Sequence, residues 1–442
     1  GKWLAEQHKS GYWKHGSVSE DYSRIKIPVY AIGGWADAYR NTVFRLLENL
    51  SPPCKGLVGP WAHKYPNIAY PKPVIDYVKE SVRWWDKWLK NKENGIMEEP
   101  RLQYYLMDAV KPRTDYEHRP GNWQSEPCWP SPDIVKRQYF LQPGGLSAIR
   151  NNEGHIDSIA SAETTGRMGG RLMVGIGVSG EFPDDQQKDD EQSLVYDTPV
   201  LQDELNIVGQ AVARLTVSSD QPMANVIARL CDVQPDGKCT LITYGVLNLA
   251  HRDSNENPGV LVPHKEYAID LVLNHIAYRV PPGHRLRLAI SNAYWPLIWP
   301  SPFRDTLSIQ LGKSELSLPC KPCPGGNSNP ALDEFVRSVS AAEKVLRTES
   351  FNKNIVEDKQ TGELLIETVT DYGRLFVRSS KTEIDFTLNQ KMTIFPDDPN
   401  SAKSITDLDV IMQQGDLATA LKGRFELTST ASHFRVRSLW QA

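Results

Sequence analysis

Two short apolar runs, Ile27-Pro-Val-Tyr-Ala-Ile32 and Gly56-Leu-Val58, are each bounded by Gly or Pro, with one amphipathic segment between them. Short runs without polar alternation suit strands buried on both faces, as in a parallel sheet. The segment Asn41 to Leu50 places Val43, Leu46, Leu47 and Leu50 at helical spacing. A second helical pattern runs from Val74 to Lys92. Val74, Tyr77, Val78, Ser81, Val82, Trp85, Trp88 and Leu89 share one face, opposed by Lys79, Arg83, Lys87 and Lys90. Strand, helix, strand, helix is the rhythm of an α/β sheet.

The texture changes near residue 130. Nine of the 12 Trp lie in residues 1–129, and the Pro-rich stretch Pro127-Cys-Trp-Pro-Ser-Pro132 follows at once. Beyond it Ala211, Ala213, Leu215 and Val217 alternate with polar or small residues, as do Leu286, Leu288 and Ile290, and later Phe434 and Val436. Turn signals such as Pro235-Asp-Gly237 and Pro281-Pro-Gly283 separate such runs. Many short strands with one dry face predict an antiparallel sandwich over 127–442, interrupted by a helical stretch near 331–346.

Composition narrows the function classes. Lys+Arg 50 against Asp+Glu 54 gives a net charge of -4, so the basic footprint of a nucleic-acid binder is absent. With 40% hydrophobic residues the chain fills cores and is not globally disordered. No apolar run approaches the ~18 residues of a membrane helix, which, without a secretory signal near Gly1, leads to the expectation of a cytoplasmic protein. The six Cys are scattered except for Cys320-Lys-Pro-Cys323, which lacks a second pair or flanking His and reads as a turn between strands. No dinucleotide, phosphate-loop or zinc-protease fingerprint occurs, so neither cofactor nor metal is expected.

The chemistry concentrates where the two apolar runs end. Gly33-Gly34-Trp35-Ala36-Asp37 puts a carboxylate in the loop after the first run. Alone, Asp37 fits two roles equally, a helix cap or a functional group at the carboxyl end of a strand. Gly59-Pro-Trp-Ala-His63 then delivers a histidine after the second run, 26 residues later, room for one helix and one strand. A post-strand Asp followed by a post-strand His is the tail of the Ser…Asp…His order of α/β-hydrolases. There the carboxylate fixes the imidazole tautomer and the imidazole takes the proton of the nucleophile. Trp35, Tyr39 and Trp61 flank the pair; packing is their default role, and lining a substrate pocket the alternative.

These two motifs resemble the acid and base motifs of the CocE/NonD hydrolases, the family of cocaine esterase, α-amino acid ester hydrolases and X-Pro dipeptidyl-peptidases. Trp84-Trp85-Asp86-Lys87-Trp88-Leu89 is similar to that family's helix after the histidine. Ser193-Leu-Val-Tyr196-Asp-Thr-Pro199, Val280-Pro-Pro-Gly-His-Arg-Leu-Arg287 and Ser291-Asn-Ala-Tyr-Trp-Pro296 resemble signatures of its jelly-roll. The resemblance implies that residues 1–22 end a helical cap, 23–126 form the C-terminal part of an α/β-hydrolase sheet, and 127–442 a jelly-roll β-sandwich. It implies Asp37 as orienter and His63 as general base toward a small ester, amide or peptide substrate.

One family element is missing. No G-x-S-x-G elbow occurs; Gly177-Val-Ser179-Gly-Glu and Gly145-Leu-Ser147-Ala-Ile each lack the closing Gly. The expectation is therefore a C-terminal portion of a serine hydrolase, inactive alone, whose partner is the N-terminal half carrying the nucleophile. The competing reading is a stand-alone β-sandwich binding or assembly module with Asp37 and His63 as relics. Self-association through the sandwich is compatible with both.

Overall fold

The computed structural model describes residues 2–151, 154–175, 180–322, 332 and 343–442. Two short helices, α1 (Lys2–Ala5) and α2 (Gly11–His15), open the chain and bury none of their residues. Then β1 (Val29–Gly34) and β2 (Cys54–Gly59) pair in parallel, from Val29 opposite Cys54 to Gly34 opposite Gly59. The crossover between them is α3 (Arg40–Asn49), which buries Val43, Phe44 and Leu47. Leu47 rides so close to β2 that a Cβ on Gly56 would stand 2.7 Å from its Cδ1. β2 is buried along its whole length, Lys55 included. The Lys55 ammonium survives there because Ile96 O accepts from it at 2.8 Å and Glu99 at 2.6 Å.

The helix α4 (Tyr77–Lys90) forms where the spacing predicts, but its orientation does not follow the sequence. Val78, Val82, Trp85 and Leu89, expected inward, are 51–72% exposed. The buried side carries Trp84 and Glu80 instead. Trp84 packs on Tyr30 of β1 with ring centroids 5.3 Å apart, and the Tyr30 hydroxyl donates to Glu80 at 2.9 Å. Arg83 bonds both Glu80 and Glu99, tying the helix to Lys55 beneath it. A polar lattice thus sets the rotation of the helix, and the widest apolar stripe is left uncovered.

The parallel set continues with β3 (Leu102–Asp108) beside β2, and β4 (Gly121–Glu126) returns antiparallel on β3. β3 also pairs in parallel with the strand Ile276–Val280, Met107 opposite Tyr278. Through that junction the α/β strands and one layer of the sandwich form a single 13-stranded sheet among the described residues. The expected boundary at 126/127 marks a change of connectivity, and the sheet runs across it. A four-stranded sheet (Cys239–Asn248, Asn225–Val233, Arg285–Ser291, Leu194–Asp197) packs on the first layer. Between the layers lie Leu215, Val217, Val226, Leu230, Leu286, Leu288, Ile309 and Leu316, all buried. The strand Val212–Ser219 alternates buried and half-buried residues as its sequence predicts.

Among the described residues the last strand of the sandwich is Glu315–Cys320, and the strands nearer residue 442 do not join it. Residues from Glu343 to Gln441 make a separate seven-stranded antiparallel sheet of long strands. It meets the sandwich at a small cluster of Trp295, Leu364, Ile366, Ile394 and Ala402. Most of the helix expected over 331–346 lies outside the described residues, as does Cys323, but its described end, Glu343 to Leu346, is strand paired with Leu364–Val377. Among the described residues no helix is long and apolar enough to cross a membrane, and no three His, Cys, Asp or Glu side chains are placed to hold a metal.

Candidate active site

The two loops that leave β1 and β2 lie against each other at one end of the sheet. Trp35 N donates to Gly59 O and Ala36 N to Trp61 O, both at 3.0 Å. This contact needs Gly34: a Cβ there would stand 2.1 Å from Trp61 O. Gly34 therefore serves close approach of two backbones, while Gly33 leaves room for Val43 of α3, whose Cγ2 would stand 3.0 Å from a Cβ there. The first loop turns tightly, with Asp37 N on Gly34 O at 3.1 Å, and α3 starts three residues after Asp37.

The result is a carboxylate–imidazole pair. Asp37 Oδ2 lies 2.9 Å from His63 Nδ1, and Asp37 Oδ1 accepts from Tyr39 N at 2.9 Å. One Asp37 oxygen thus closes the turn before α3 and the other holds the imidazole, while α3 itself, with Tyr39 at its N-cap, has no side-chain cap. The Asp37 side chain is 14% exposed and that of His63 is 43% exposed, so the carboxylate is sheltered and the imidazole is open. A carboxylate on Nδ1 fixes that nitrogen as the donor and leaves the Nε2 lone pair, on the far side of the ring, to accept a proton.

His63 borders a cavity of about 420 Å³, with Gly34, Trp61, Tyr65 and Ile68 around it. Of the three flanking aromatics, Tyr39 is exposed and stands beside the imidazole, centroids 5.9 Å apart. Trp61 is buried, its indole donating to Pro73 O at 2.7 Å and its ring packing on Trp123, and it forms part of the cavity wall. Trp35 turns away into the core, donating to Tyr105 O at 2.7 Å and stacking on Phe44. Gly145 and Ser147 belong to a hairpin strand paired with Phe140–Gln142, no strand-to-helix turn. The string around Ser179 lies outside the described residues.

Two contributors carried no sequence signal. His63 N donates to Val174 O at 2.7 Å, so a sandwich loop 111 residues away in sequence braces the histidine loop. Gly175 permits this with φ +87 and a Cβ position 2.7 Å from Ala62 Cβ. Beside it, burial raises the Tyr70 hydroxyl well above its ordinary pKa, so it stays neutral. The second is Arg40, whose Nη1 donates to Trp35 O at 2.6 Å and whose guanidinium lies over Tyr244 of the sandwich, 5.7 Å from the ring centroid. Burial draws its pKa down against the pull of Tyr244 and Asp37.

A family model for the X-Pro dipeptidyl-peptidase C-terminal non-catalytic domain matches residues 94–333, more than half of the chain. The chain belongs to the X-Pro dipeptidyl-peptidase C-terminal domain family. A second model, the X-Pro dipeptidyl-peptidase (S15 family), matches residues 1–65, the segment that holds both Asp37 and His63. The cocaine esterase of Rhodococcus sp. is 25% identical over 314 residues, covering 64% of this chain and 52% of that protein. The chain spans about half the length of the curated relatives it matches. An α-amino acid ester hydrolase structure superposes with a TM-score of 0.58 at 18% identity, covering 72% of this chain and 60% of that one. An aminopeptidase from a Thaumarchaeota archaeon gives 0.58 at 16% identity, covering 73% and 60%. At such identities the structures show the shared fold, an α/β sheet joined to a β-sandwich.

Proposed function

We propose that this chain supplies the orienting carboxylate and the general base of a serine hydrolase that cleaves esters or amides, X-Pro peptides among them. The nucleophile belongs to polypeptide beyond these 442 residues. The observation that carries this reading is the 2.9 Å contact of Asp37 with His63 Nδ1 at the carboxyl ends of two adjacent parallel strands. In the reaction His63 Nε2 takes the proton of an attacking hydroxyl as its oxygen bonds the acyl carbon, and returns it to the leaving alcohol or amine. Asp37 stabilises the imidazolium formed between those steps. Supporting the division of labour, the pair falls in the match to the S15 peptidase, whereas the sandwich falls in the match to a domain described as non-catalytic.

The uncovered side of the sheet fits the same reading. Among the described residues β1 is its terminal strand, with an unpaired hydrogen-bonding edge, and the exposed stripe belongs to α4, which packs on β1 through Trp84. This is the place for the polypeptide that brings the serine. The chain alone should give neither burst nor turnover with p-nitrophenyl acetate. Complemented by an upstream segment carrying a G-x-S-x-G elbow, it should hydrolyse the ester, and Asp37→Asn should then cost on the order of 10⁴ in turnover, the size of the effect known for a different protease. Turnover by the chain alone that His63→Ala leaves undiminished would place the chemistry elsewhere.

A further inference from the structure

Behind the Asp37 loop, between the parallel sheet and the sandwich, lies a second cavity of about 100 Å³. That is room for several waters or one small organic molecule. Among the described residues three arginines line it, Arg40, Arg119 and Arg171, and no aspartate or glutamate does. The remaining wall is largely apolar, with Trp35, Leu172 and Ile276 contributing.

The arginines are not equally satisfied. Arg171 is paired with Glu181 at 2.5 Å. Arg119 is 7% exposed, and its Nη1 is buried with no acceptor among the described residues. The same holds for Arg40 Nε. Tyr244 engages the Arg40 guanidinium, whereas the hydroxyls beside Arg119 are committed elsewhere. The Tyr116 hydroxyl donates to Lys111 O and that of Tyr278 donates to Asp232, which also holds His284 at 2.7 Å. The Arg119 guanidinium lies over two rings, 5.1 Å from the Tyr116 centroid and 5.8 Å from that of Tyr278. A buried guanidinium N–H without an acceptor costs its full desolvation penalty, and such groups in native structures signal an occupant.

We propose that this cavity binds a small carboxylate of about two to four carbons. Two N–H donors from separate guanidinium groups, Arg119 Nη1 and Arg40 Nε, match the two oxygens of a carboxylate better than a spherical ion, and the apolar wall accommodates a short alkyl chain. A doubly charged oxyanion would lose more hydration than two single donors return. The site is independent of whether the chain serves a serine hydrolase, since neither His63 nor Asp37 lines this cavity.

The test is titration of the purified chain in carboxylate-free buffer with ¹³C-labelled acetate and propionate, then with bromide and phosphate. Saturable broadening of the labelled carboxylates is expected, with shifts of the arginine Nε–H signals, and at least tenfold weaker binding of bromide and phosphate. Arg119→Gln should weaken acetate binding at least tenfold with unchanged circular dichroism. If that variant fails to fold, the wild-type arginine shifts decide the matter. No saturable carboxylate binding, binding of bromide as tight as acetate, or acetate binding undiminished in folded Arg119→Gln would each overturn the proposal.

Discussion

The helices α3 and α4 flank the same parallel strands, and both show an apolar face in sequence. On α3 that face is sealed. Phe44 stacks on His275 of the sandwich with centroids 4.1 Å apart and on Trp35 at 5.6 Å, while Asn41 bonds Asn274 and the His275 backbone. On α4 the corresponding stripe meets solvent, and a polar lattice of Tyr30, Glu80, Arg83, Glu99 and Lys55 holds the helix by its other side. The difference teaches that amphipathicity reports how much apolar surface a helix must cover and is silent about what covers it. For α3 the cover lies far along the same chain, with Asn41 and Asn274 separated by 233 residues. The consequence reaches the candidate site, because α3 begins just after Asp37, so the sandwich braces the Asp37 loop through that helix and the His63 loop through Val174.

Truncation is the strongest way to break this contrast. Phe44→Ala opens a void between Trp35 and His275 and should cost about 3–5 kcal/mol in denaturant unfolding. An equal loss from an α4 stripe residue would erase the distinction. Acid should discriminate next. Burial, with the charges of Arg45 and Arg40, pushes His275 down to about 3 from 6.5. A folded-state pKa below the unfolded one stabilises the fold above 6.5, and that contribution fades as pH falls toward 3. On the α4 side burial works against Glu99, but Lys55 and Arg83 outweigh it and hold the carboxylate below its ordinary 4.5. Its contribution is lost only as pH falls below that value. Between pH 6.5 and 4.5 the α3 contact should therefore weaken first. Hydrogen exchange corrected for intrinsic rates should show α3 and the 274–276 turn losing protection before α4, and simultaneous loss would contradict the assignment.

The smallest effect belongs to the open stripe. Trp85→Ser should change the unfolding free energy by no more than about 0.5 kcal/mol, since the ring is 53% exposed. It should reduce self-association measured by sedimentation, and a marked destabilisation would mean that the stripe is covered after all.

Much of this was legible in the residues. The short apolar runs gave β1 and β2, alternation gave Val212–Ser219, and the two post-strand motifs placed Asp37 and His63 one crossover apart. These follow from local physics, because strand period, helix period and chain connectivity act over short stretches of chain. Local pattern could not reveal the rotation of α4, the continuation of the sheet through Ile276–Val280, or the third sheet beginning at Glu343. Nor could it gather Arg40, Arg119 and Arg171 around one cavity. Those features depend on which distant surfaces meet, and a surface acquires its burial, its charge balance and its unpaired donors only after the meeting.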